Sequence, residues 1–222
     1  MVSLSPEDAR RYMVGQAGLR AVVHPTGPAG VAALLAQRRC IQLDPLSTIG
    51  TNADLVALAR LDGVGQGDVY RHAFASGAFE HFAKERCLLP ASAFPAYRDQ
   101  AVQTPWWHLS TRLERVPAEV LDAVLAEVAQ HGPLSGAQLS DHGAVKAIDW
   151  SGWKGTSRAA KMAIEVLWTR CQVVVSGRSG ARQHVYDVPQ RALPTVFDQA
   201  PPAEGFARWA LAERVEACGL LP

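Results

Sequence analysis

The chain has little from which a metal centre or a disulfide framework could be built. Its four cysteines, Cys40, Cys87, Cys171 and Cys218, are scattered singly and form no C-x-x-C pair. Seven histidines are equally dispersed, so neither a zinc nor an iron–sulfur pattern is present and buried, reduced thiols are expected. Sequence motifs for phosphate cradling, for a nucleophile elbow and for a zinc-protease helix are also missing, and Gly65-x-Gly67 is too slight to stand in for one. No cofactor and no metal are therefore expected. Apolar runs stay well short of the roughly 20 residues that a membrane helix needs. Glu7, Asp8, Arg10 and Arg11 lie where a signal peptide would place its apolar segment, so a cytoplasmic protein is expected.

What is present suits a globular protein of 222 residues with a hydrophobic fraction of 48% and a charged fraction of 19%. That length serves one large domain or two small ones. The net charge is +1, but it is unevenly spread. Between Val145 and Thr195 eight basic residues face three acidic ones, a local +5 that leaves −4 for the remainder. A basic segment in a neutral chain fits a localised contact with a polyanion.

Ser5-Pro6-Glu7-Asp8 is a helix start, with Ser5 as cap and Pro6 at the first helical position, and Gly18 stops that helix. A second helix is predicted from Pro28 to about Arg39. Cys40 to Pro45 alternates apolar and polar residues, as a short extended piece does, and a helix follows from Asn52 to about Arg60. Gly63 to Gly67 reads as a loop, Phe79 to Leu89 as short strands and Pro105-Trp106-Trp107 as a boundary. Pro117 to His131 is an amphipathic helix. Ser135 is placed to cap a short helix through Leu139, and Thr156 or Ser157 to cap another ending near Thr169. Two β-rich runs, 172–176 and 183–188, flank a turn of Gly177-Arg178-Ser179-Gly180.

Helix, short helix, helix and hairpin is the winged-helix order. The fold class expected is mostly α with small β-hairpins, arranged as tandem winged-helix domains. Residues 1–110 would form the first, 111–195 the second, and 196–222 a linker and the start of a third. In such a module the third helix enters the DNA major groove and the wing rests on the backbone. Arg158 and Lys161 would then face DNA from the helix, Lys154 from the segment before it, and Arg178 and Arg182 from the wing. The plainer alternatives are a solvated charged face, or a winged helix that binds protein.

Gln42-Leu43-Asp44 is the segment with chemical promise. On a strand, Gln42 and Asp44 share one face while Ile41 and Leu43 anchor the other. A neighbouring amide and carboxylate can position a water. Equally, Asp44 before Pro45 can simply organise a turn.

Cys40 to Ser47 resembles the catalytic Gln-x-Gln/Asp segment of the YcaQ/AlkZ-like DNA glycosylases. Phe79 to Pro90, with the sequence Phe-Glu-His-Phe-Ala-Lys-Glu-Arg-Cys-Leu-Leu-Pro, is similar to their aromatic-Glu-Tyr-Trp-Ala-His-Glu segment ending in Leu-Pro. Trp153 to Leu167 and Val185 to Pro194 resemble their winged-helix segment. The resemblance implies hydrolysis of the N-glycosidic bond of alkylated or crosslinked purines in double-stranded DNA, with Gln42 and Asp44 catalytic. Two departures stand out. Gly50 to Asp54 replaces a basic stretch of the family, and Lys84 replaces a histidine, where it would serve as a phosphate contact. A non-catalytic winged-helix DNA binder, either a regulator or a degenerate family member, is the alternative. The family's chains resemble three tandem modules and are nearly twice as long. The amphipathic helix expected at Phe206 to Cys218 therefore either docks on the body, meets a second copy of the chain or awaits a missing C-terminal domain.

Overall fold

Ser5 opens the first helix as its sequence suggests: its Oγ accepts a hydrogen bond from the Asp8 amide at 3.1 Å, with Pro6 beginning the helix. The computed structural model describes residues 3–20, 26–44, 47–83, 85–99, 109–148, 155–179 and 183–220. In chain order the N-terminal half contains α1 (Pro6–Gln16), α2 (Gly27–Arg38), β1 (Ile41–Gln42), α3 (Asn52–Leu58), α4 (Asp68–Ala75), β2 (Phe79–Phe82), β3 (Arg86–Leu89) and α5 (Phe94–Asp99). The rest contains α6 (Leu109–Arg115), α7 (Ala118–His131), β4 (Leu134–Ser135), β5 (Ala144–Lys146), β6 (Thr156–Arg158), α8 (Ala159–Thr169), β7 (Val174–Ser179), β8 (Gln183–Asp187), α9 (Pro189–Ala192) and α10 (Phe206–Cys218). Mostly helical with small hairpins, the chain has the expected element content. Helix α4 is an addition, since its glycine-rich approach reads as loop in sequence.

One antiparallel sheet, in the order β1-β3-β2-β7-β8-β4, draws strands from both halves of the chain. The seam is the pairing of Glu80 on β2 with Val175 on β7. Apolar cores follow from that arrangement. Phe82 packs with Val124, Val128, Ile164, Leu167 and Trp168, whereas Phe79 packs with Phe94, Tyr97, Cys171 and Leu193. A third cluster puts Leu34, Leu35, Ile41, Leu43 and Leu88 under α2, α3 and α4. The proposed boundary between residues 110 and 111 adjoins Ala101 to His108, and Pro105-Trp106-Trp107 lies outside the described residues.

Two local expectations are corrected. Ser135 does not cap a helix. Its hydroxyl and its amide both donate to Gln138 Oε1 at 2.9 Å, closing a turn, and Leu134 and Ser135 pair with Tyr186 and Val185 as strand β4. Thr156 and Ser157 do not cap α8 either, because they are taken into the β5–β6 ladder opposite Lys146 and Val145. Arg158 occupies the cap position with no side-chain capping bond.

Helix α10 docks on the body. Phe206 and Trp209 meet the Tyr97 ring edge-on at 5.2 and 5.9 Å, Arg39 pairs with Glu213 and Glu216, and Arg38 donates to the Ala217 carbonyl. Leu211 and Val215 remain on its exposed side.

Candidate functional site

Strand β1 is short, but the ladder fixes its orientation. Ile41 pairs with Leu88 and Gln42 with Cys87, and the Leu43 amide continues the pattern by donating to the Arg86 carbonyl at 2.8 Å. Ile41 is 3% and Leu43 8% exposed. Gln42 and Asp44 alternate with them on the exposed side. The pleat thus produces the geometry anticipated from sequence: two apolar anchors inward and an amide and a carboxylate outward, about 6.6 Å apart along an extended strand. Asn52, at the start of α3, donates from Nδ2 to the Gln42 carbonyl at 2.6 Å and ties the following loop back to the strand. Thr51 caps α3 through the Asp54 amide. Asp54 itself is buried and accepts from the Gly67 amide at 2.9 Å, so it holds the loop before α4 and is not part of the exposed pair.

The cations anticipated for DNA are placed unequally. Lys84, Lys154 and Arg182 lie outside the described residues. Arg158 is spent on backbone: its guanidinium donates to the carbonyls of Gly136 and Leu139 at 3.2 and 2.6 Å, closing the turn that follows β4. Arg178 sits in β7 and not in a turn. It donates from Nε and Nη2 to one carboxylate oxygen of Glu80, at 2.8 and 2.6 Å, with its guanidinium carbon 4.4 Å from the Tyr70 ring centroid. Lys161 is exposed and holds no hydrogen bond or ion pair among the described residues.

Sequence reasoning missed the group around Glu80. This carboxylate is fully buried in β2. His184 brings Nε2 to 3.4 Å from Glu80 Oε2 and Nδ1 to 3.3 Å from the Tyr186 hydroxyl, while Arg86 Nη1 stands 3.4 Å from the same imidazole Nε2. Burial by itself would raise the Glu80 carboxyl, but the His184 contact and the Arg178 charge prevail and hold it below the ordinary carboxylate value. Burial also keeps the Tyr186 phenol above its ordinary value. No local signal could have joined these groups, since Glu80 and Arg178 are 98 residues apart.

Two clefts open on this network. Arg178 lines one of about 550 Å³ with Tyr70, Phe74 and Thr51. His184 and Arg86 line the other, of about 490 Å³, with Lys161, Gln183 and Trp168. All four cysteines are free. Among the described residues no cluster of histidine, cysteine or carboxylate suits a metal ion, and no helix is long and apolar enough to cross a membrane.

A family model described as "DNA glycosylase AlkZ-like" matches residues 35–222. No curated protein and no solved structure matches the chain.

Proposed function

The chain belongs to the AlkZ-like DNA glycosylase family, and on that premise we propose that it hydrolyses the N-glycosidic bond of alkylated purines in double-stranded DNA, using Gln42 and Asp44. The observation that carries the reading is the alternation along β1 and the two residues after it, where the amide and carboxylate stand exposed over the buried anchors Ile41 and Leu43. Both reach solvent at a sheet edge, where a duplex can approach.

Alkylation at N7 or N3 makes a purine cationic, so the base leaves without a protonating acid. As the bond from C1′ to the base nitrogen breaks, its electron pair neutralises the base and positive charge develops on the sugar. Asp44 stabilises that oxocarbenium-like charge and takes a proton from the water whose oxygen bonds to C1′. Gln42 orients the water or the lesion through its amide.

Duplex containing N7-methylguanine, analysed for free base, tests this directly. Release by the parent and a loss of about 10²–10⁴-fold in Asp44→Asn is the expected result. Equal release by both would remove Asp44 from the chemistry, and salt-sensitive binding without release would leave a DNA-binding relative that does not cut the bond.

A further inference from the structure

The 490 Å³ cleft between α8 and β8 is distinct from the Gln42–Asp44 pair. Strand register puts Gln42 on the Cys87 face of the sheet. Arg86 pairs with Phe82 and therefore shares the Glu80 face. Along the sheet β1 and β8 are four strand spacings apart, about 19 Å.

Charge decides what the cleft can hold. Arg86, Arg158 and Lys161 line it against one acid, Glu165, and that acid is neutralised by Arg112 at 3.2 Å. A cationic alkylated purine would be repelled there. An anion would not. The aromatic residues give no stacking wall, because Trp168 is 2% and Tyr186 7% exposed. They form the floor instead, with the Arg86 guanidinium carbon 4.8 Å from the Trp168 ring centroid and the His184 imidazole fixed between Glu80 and Tyr186. What projects from the walls is polar: the exposed Lys161 ammonium, the exposed Gln183 amide and the partly buried His184.

We propose that this cleft seats a single phosphodiester of the DNA backbone, contacted by Lys161 and Gln183 over a floor positioned by His184 and Arg86. The inference rests on the reading that the chain binds duplex. It adds residues that the winged-helix expectation did not contain, and it sets aside Arg158, whose Nη1 and Nη2 donate to carbonyls.

Duplex binding should be measured against salt for the full chain, Lys161→Ala and Gln183→Glu, using N7-methylguanine duplexes with one neutral methylphosphonate scanned outward from the lesion. Each phosphate contact contributes about 0.9 to the slope of log affinity on log salt. Lys161→Ala is expected to lower that slope by about one contact, and Gln183→Glu to weaken binding at least as much. One methylphosphonate position in that scan should weaken the parent and leave Lys161→Ala indifferent. Parental slopes in both variants, or no position whose effect Lys161→Ala abolishes, would overturn the proposal. So would saturable binding of inorganic phosphate that duplex fails to displace, which would assign the cleft to a free anion. A parent that does not bind duplex would sink the seat together with the DNA reading. Coupled binding without base release would leave the seat standing and remove only the chemistry.

Discussion

Arg178 delivers two hydrogen bonds to the same carboxylate oxygen of Glu80, a side chain with no solvent exposure, while His184, its cross-strand neighbour, approaches the other oxygen. The two cations expected to sit on the wing therefore divide into Arg178, drawn inward by a strand from the opposite half of the chain, and Arg182, outside the described residues. An Arg178 substitution should consequently act on folding before it acts on DNA.

Breaking this pair one partner at a time should be costly, because the survivor is left charged and buried. Glu80→Ala and Arg178→Ala are each expected to destabilise the protein by about 3–5 kcal/mol. Joint replacement by apolar residues of similar volume should cost far less than the two single losses together. Urea unfolding of both single variants and the pair checks this, and additive losses would show that the side chains are not coupled.

Acid should loosen the fold in a window set by His81. Burial depresses that imidazole from 6.5 to about 4, and its Nε2 contacts the Thr169 carbonyl at 3.1 Å. Because the unfolded chain takes up the proton first, stability is complete above about pH 6.5 and falls as pH drops towards 4. The loss amounts to at most about 3 kcal/mol over that interval. Glu80, whose carboxyl is held below its ordinary value, adds a further loss only below about 4.5. His81→Phe should flatten the upper part of the profile in thermal unfolding followed from pH 7 to 4, and an unchanged slope would acquit His81.

Gln42 and Asp44 should separate activity from stability. Both are exposed, so Gln42→Ala and Asp44→Asn are expected to stay within about 0.5 kcal/mol of the parent. Base release should nevertheless fall by about 10²–10⁴-fold for Asp44→Asn. Leu43→Ala, which empties the buried anchor between them, is expected to cost about 2–5 kcal/mol. Paired melting curves and single-turnover assays measure both quantities.

Helix α10 should behave as part of the body. Trp209→Ala strips a half-buried indole from the Tyr97 ring, and a loss of about 1–3 kcal/mol is expected. The unfolding midpoint should be independent of protein concentration in parent and variant alike. A concentration-dependent midpoint would point to a second copy of the chain over Leu211 and Val215.

Period and punctuation in the sequence determined where most elements lie. Ser5-Pro6 started α1, the apolar spacing of 118–131 and 206–218 marked α7 and α10, and the 41–44 alternation set which side chains face out, because these depend on residues within a turn or a pleat of one another. Ser135, Thr156 and Ser157 misled because a hydroxyl that can cap a helix can equally enter a turn or a strand, and ladder partners 50 residues or so away made the choice at Ser135. Which cations are tied to partners within the fold was decided only by tertiary structure. Arg158 found carbonyls, Arg178 found Glu80, and Lys161 kept its exposure. Charge pairing across a sheet depends on distances that local sequence does not encode.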